Sequence, residues 1–159
     1  MTKRVVITGM GIISPIGNDV PTFWKNLIDG VCGIDYIHDF PTDGLPVKIA
    51  GKIKDFHPEE HGMDKAFGRK QDRFTQYGVA AAYEAMNQAG LVSEGEGQNI
   101  DPFRLGVYVG SGIGGFEIQY RETAKMIEDP TGQWISPLFI PTMISNIAAG
   151  HIAIKHQAK

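Results

Sequence analysis

A chain of 159 residues with 42% hydrophobic content holds apolar mass for one ordinary globular core. Its net charge of −3, with 15 Lys and Arg residues scattered along the sequence, argues against the broad positive face that nucleic acid binding needs. The one cysteine, Cys32, excludes an internal disulfide and a cysteine-rich zinc site. The Val/Ile run behind Arg4 is too brief and glycine-broken for a signal peptide or a membrane span, so a cytoplasmic protein with no membrane partner is expected.

Residues 4–9 (Arg-Val-Val-Ile-Thr-Gly) are a β-branched run between charge and glycine, the pattern of a strand buried on both faces of a parallel sheet. After a loop over residues 10–18, Asp19 ahead of Pro21 is a good N-cap for a helix carrying Phe23, Trp24, Leu27 and Ile28, closed by Gly30. Residues 31–61 read as an irregular, decorated insertion with one alternating stretch, 47–53, that suits a surface strand. From Asp72 to Ala89, Phe74, Tyr77, Gly78, Ala81, Ala82, Ala85 and Ala89 recur at three-four spacing, and Gly90 closes the helix. So many small residues imply close packing against a second helix. Residues 91–103 are an acidic, glycine-rich loop, and residues 104–109 (Arg-Leu-Gly-Val-Tyr-Val) a second buried strand. That strand runs directly into Gly110-Ser111-Gly112-Ile113-Gly114-Gly115 and a helix over 116–128. A loop with proline and tryptophan precedes a final helix from about Thr142 to Lys159, with Ile144, Ile147, Ala148, His151 and Ile152 on one side. Two strands make a poor sheet, so this α/β pattern points to a piece of something larger.

Gly110, Gly112 and Gly115 fit the G-x-G-x-x-G spacing between strand and helix, which would set backbone amides against a pyrophosphate. The acidic residue expected about 20 positions later at a strand end is missing, since Glu128-Asp129-Pro130 lies in a loop with no strand before it. His57 and His61 are four apart, but Pro58 lies between them and the order departs from H-E-x-x-H, so a surface loop is expected. Cys32 follows a helix C-terminus, without the helix N-terminus or basic partner that lowers a thiol pKa, and reads as structural. His151 reads as a core histidine. No serine nucleophile elbow is present. Lys65, Arg69, Lys70 and Arg73 form a basic cluster at and before the start of the alanine-rich helix, where cations oppose the macrodipole, which raises the prospect of an anionic partner.

Four ordered segments carry a resemblance. They are residues 4–17 (Arg-Val-Val-Ile-Thr-Gly-Met-Gly-Ile-Ile-Ser-Pro-Ile-Gly), residues 69–78 (Arg-Lys-Gln-Asp-Arg-Phe-Thr-Gln-Tyr-Gly), the glycine loop 110–115, and Ser136-Pro137-Leu138-Phe139-Ile140-Pro141 through Asn146, Ala149, Gly150 and His151. Together they span almost the whole chain, and they resemble the elongating β-ketoacyl-acyl-carrier-protein synthases, closest to type II. The resemblance implies a thiolase-like α/β fold of which residues 1–159 are the front of the first α/β half, an incomplete sheet with flanking helices. It implies a homodimeric acyltransferase of fatty acid elongation that uses no cofactor and takes its substrates from acyl-carrier protein. In such enzymes a cysteine thiolate accepts the acyl chain, and the carbanion left by decarboxylation of malonyl-carrier protein attacks the thioester. The cysteine is expected just beyond Lys159 and the histidines later still, so no catalytic residue falls in this chain, which is expected to be inactive alone. Ile113 matches the isoleucine that gates the acyl pocket, and Phe139 and Ile144 match positions that line it from across the dimer. Arg69 and Lys70 match basic residues that meet the acidic carrier protein. Lys65 lies near another such position without aligning to it, and Ala66-Phe67-Gly68 departs from the family's more polar pattern. The alternatives are a non-catalytic carrier-protein-binding module, a polyketide-type ketosynthase and a dinucleotide-binding domain.

Overall fold

The computed structural model describes residues 3–93 and 95–159. Its first helix, α1 (Val20–Ile28), starts where the sequence places it. The Asp19 carboxylate accepts the Thr22 N–H at 2.7 Å, a proline occupies the first turn, and Gly30 takes the left-handed conformation that ends the helix. Its apolar side is only partly covered, since Trp24 and Ile28 are exposed. The short strands β1 (Ile34–Tyr36) and β2 (Ile49–Gly51) then pair antiparallel, with Asp35 opposite Ala50. β2 falls inside the alternating stretch 47–53. Pro58–His61 make a single 3-10 turn.

The next helix, α2 (Lys65–Lys70), is capped by Asp64, whose side chain accepts the Phe67 N–H. It is followed by the longest, α3 (Arg73–Gln88), capped by Asp72. After the loop come a 3-10 turn at Pro102–Arg104, then α4 (Phe116–Glu128), α5 (Phe139–Met143) and α6 (Ile147–Lys155). The core lies between α3 and α6: Met63, Val79, Ala80 and Ile152 are buried, with Ile13, Phe56, Phe67, Val107 and Val109 packed against them. A Cβ at Gly78 would meet the methyl of Ala148 in α6 at 3.7 Å, whereas Ala81, Ala85 and Ala89 lie against Gly9 and Gly11, so the small face of α3 packs on a helix only in part and on residues 9–11 for the rest.

Two expectations are corrected. Residues 4–9 and 104–109 pair with no strand: Arg104 ends the 3-10 turn, Val5 and Ile7 stand exposed rather than buried on both faces, and the one sheet among the described residues is the β1–β2 ribbon. A parallel strand exists only through hydrogen bonds to a neighbour, and among the described residues neither segment takes part in such a ladder. The first segment leads instead onto α3: Met10 N–H donates to the Gln88 side chain at 2.6 Å and Ile12 N–H to Glu84 at 3.0 Å. Gly11 permits this, because a Cβ there would stand 1.9 Å from the Ala81 carbonyl oxygen. The second keeps strand-like alternation, with Leu105, Val107 and Val109 half-buried and Tyr108 fully exposed. The single final helix is also divided. The Met143 carbonyl accepts the Gly115 N–H at 2.7 Å, and Ile147 N–H turns to Ile144, so α5 stops before α6 begins.

Candidate functional site

The glycine loop seats α4 on α5. Gly114 has φ +84, its N–H donates to the Ser111 hydroxyl, and Gly115 lies so close to α5 that a Cβ would sit 2.9 Å from the Met143 Cα and 3.0 Å from the Thr142 oxygen. The start of α4 already holds an anion. The buried Asp72 carboxylate accepts the Ile118 N–H at 2.9 Å through Oδ2, while Oδ1 accepts Phe74 N–H at 3.2 Å, so one side chain serves the N-termini of two helices. The glycines thus answer a packing demand at the slot where a pyrophosphate would have to lie.

Of the three residues expected at the acyl pocket, Ile113 and Ile144 flank this seam and Phe139 stands at the other end of α5. Ile113 precedes the Gly114–Gly115 step, which lies against residues 142–145, Ile144 caps α5, and Phe139 opens α5. Ile113 is 70% exposed and Ile144 37%, so both leave apolar surface open at the seam, while Phe139 is half-buried.

Arg69 and Lys70 line a cleft of about 360 Å³ between α2 and α4. Opposite them stand Arg121, Glu122 and Lys125 of α4, with Ile118, Leu138 and Thr142 as apolar and small neighbours. Lys65 is exposed at the opposite end of α2 and is not among the cleft residues. Arg69 and Lys70 occupy the last turn of their own helix, where cations complement the macrodipole, and Arg73 at the start of α3 is paired with Glu117 at 3.3 Å.

Glu122 is the anchor of the cleft. Its side chain is 1% exposed, and it accepts Ser136 N–H at 2.9 Å, Lys125 Nζ at 2.9 and 3.0 Å, and Arg121 Nε at 3.2 Å. Burial pushes its carboxyl up, but these donors outweigh burial and hold it down at about 2. Arg121, Glu122 and Lys125 were not singled out from sequence. The signal available was the four-residue spacing of Arg121 and Lys125, which puts both on one face of α4.

Cys32 is exposed in a loop, its Sγ 3.8 Å from the Ile34 oxygen. His151 packs edge-to-face on Phe67 at 5.0 Å between ring centroids, and burial lowers its pKa below 6.5, consistent with a core histidine. No helix among the described residues is long and apolar enough to cross a membrane.

Known proteins match this arrangement along its length. The 3-oxoacyl-[acyl-carrier-protein] synthase 2 of Staphylococcus aureus strain COL is 45% identical over 158 residues, covering 99% of this chain and 36% of that protein. The synthase 2 of Vibrio harveyi is 40% identical over 152 residues, covering 96% of the chain and 35% of that protein. The chain therefore spans little more than a third of these relatives. Among solved structures, a type II polyketide ketosynthase in complex with its acyl-carrier protein superposes with a TM-score of 0.77 at 27% identity, over 100% of this chain and 41% of that one. A beta-ketoacyl synthase from Burkholderia phymatum gives 0.74 at 24% identity, over 96% of this chain and 36% of that one, and shows the fold. These neighbours establish a thiolase-like α/β fold, present here as a part with a small sheet and flanking helices. Residues 2–159 match the family model described as beta-ketoacyl synthase, N-terminal domain, and the chain belongs to that family.

Proposed function

We propose that residues 1–159 form the acyl-gate and carrier-docking part of an elongating condensing enzyme of fatty acid synthesis, cytoplasmic and homodimeric. The reaction joins an acyl thioester to malonyl-acyl-carrier protein and gives 3-oxoacyl-acyl-carrier protein and CO2. The observation that carries the reading is 45% identity to a 3-oxoacyl-[acyl-carrier-protein] synthase 2 over 99% of the chain. That identity, against 27% to the polyketide ketosynthase, favours fatty acid elongation over polyketide synthesis.

In this reading Ile113 gates the acyl pocket. Phe139 and Ile144 complete its wall from across the dimer, in keeping with the apolar surface at the seam. Arg69 and Lys70, with Lys65 nearby, meet the acidic carrier protein, and a neighbour solved with its own carrier protein supports that partner. The chemistry needs a thiolate to take the acyl group and hydrogen-bond donors to stabilise the enolate formed as CO2 leaves. Cys32 lies at no helix N-terminus and His151 packs on Phe67, so neither serves, and the 159-residue chain alone makes no condensation product. The test incubates the purified chain with acyl- and malonyl-carrier protein, and separately titrates carrier protein against wild type and an Arg69→Ala, Lys70→Ala variant. No product and weaker binding by the variant are expected. Turnover by the pure chain would refute the placement of the catalytic groups, and equal binding by both forms would refute the docking role.

A further inference from the structure

We infer that carrier-protein docking spans both walls of the cleft, with Arg121 and Lys125 of α4 receiving acidic side chains alongside Arg69 and Lys70 of α2. The inference rests on the carrier-protein reading above and adds a second helix to it.

Four cations surround one carboxylate, and Glu122, held at about 2, is ionised throughout the physiological range. The cleft thus carries a net charge of three positive units (four cations less one carboxylate) on a chain whose overall charge is −3. Positive potential concentrated in a concave site on an otherwise acidic molecule selects an acidic partner and orients its approach. Glu122 is buried and fixed by the Ser136 N–H, and through it both α4 cations are held in place before any partner arrives. Binding then costs less side-chain entropy than ordering free surface lysines would. Arg121 is held through Nε, so its Nη fork is the part that can meet a carboxylate in bidentate fashion, while the Lys125 ammonium, with two oxygens of Glu122 on it, has a third N–H to offer. The side chains remain accessible at 54% for Arg121 and 37% for Lys125. At about 360 Å³ the cleft has room for the tips of acidic side chains offered by a partner.

The experiment titrates acyl-carrier protein into the 159-residue chain as wild type, as Arg121→Gln, and as Arg69→Gln with Lys70→Gln, each at low and high ionic strength. Arg121→Gln should weaken binding about threefold to fivefold at low salt, and the difference should shrink as salt screens the exposed charges. On the unaltered chain, zero-length carbodiimide coupling to the carrier protein should link Lys125 as well as Lys70, a readout that no folding defect can imitate. If the α2 variant weakens binding while Arg121→Gln binds as wild type, or Lys70 couples and Lys125 does not, the two-helix surface is refuted and the carrier-protein reading stands. If the carrier protein does not bind wild type, or the α2 variant binds it equally, the underlying reading falls.

Discussion

Replacing Glu122 by glutamine tests the electrostatic account of the cleft most directly. The side chain is 1% exposed and its two oxygens accept from Ser136 N–H, Lys125 and Arg121. Moving the carboxyl from its ordinary 4.5 down to about 2 corresponds to at most about 3.4 kcal/mol of folding stability, at 1.36 kcal/mol per pH unit. The two cations are partly exposed, so screening brings the net figure nearer to about 2 kcal/mol. The sign is fixed by the depression. The stabilisation is fully present above the unfolded value near 4.5 and is lost as pH falls towards 2. Glu122→Gln removes the charge at nearly the same volume and turns an amide N–H₂ towards a donor. Urea unfolding followed by circular dichroism should therefore find the variant about 2 kcal/mol less stable at pH 7, with the gap narrowing steadily below pH 4.5. A gap that stays constant between pH 7 and pH 3 would show that the loss is one of packing and would refute the ion-pair account.

Gly115→Ala places a methyl 2.9 Å from the Met143 Cα and 3.0 Å from the Thr142 oxygen, both backbone atoms, and should cost about 1–3 kcal/mol in the same unfolding assay. Asp72→Asn leaves one of two helix N-termini without its acceptor and should cost about 1–2 kcal/mol, more than Asp19→Asn at the exposed cap of α1. Burial holds His151 below 6.5, so the unfolded chain takes up its proton first and stability is lost as pH falls through 6.5. In His151→Leu the melting temperature should fall less between pH 7 and pH 5.5 than in wild type. NAD, NADP and ATP should leave the melting temperature unchanged, and a rise with any of them would restore the nucleotide reading of the glycine loop.

The features legible in the sequence are those whose cause is local. Asp19 and Asp72 cap the helices they precede, because a carboxylate two or three residues ahead of free N–H groups meets them whatever the rest of the chain does. The glycine and alanine face of α3 likewise announces close neighbours, found in α6 at Gly78 and in residues 9–11 at Ala81, Ala85 and Ala89. Pairing is another matter. Residues 104–109 keep the alternation of a strand, with Val107 and Val109 on the core and Tyr108 outward, yet a ladder is a relation between segments and no single run of residues contains it. The break between α5 and α6 has a similar origin. Residues 142–155 suit one continuous helix, but Gly115, distant in sequence, captures the Met143 carbonyl. At the cleft, Arg69 and Lys70 stood out as a local cluster, whereas Arg121 and Lys125 read as an ordinary solvated face until Glu122 was seen buried between them.

The glycine loop and the basic cleft exchange the roles their sequences first suggest. A helix N-terminus behind glycines offers free N–H groups and a positive dipole end to a phosphate, but at α4 the Ile118 N–H is taken by Asp72, so the slot is filled by the chain's own carboxylate. Three of the cleft's four cations, Arg69, Lys70 and Lys125, sit in the last turns of α2 and α4, where they complement the negative dipole ends. At those positions positive charge adds to helix stability, so the fold can hold a cluster of cations without relying on a bound anion to relieve their repulsion. Glu122 limits that repulsion further by neutralising one charge from within the core. A surface built this way is stable when empty and keeps side-chain cations available to an acidic partner.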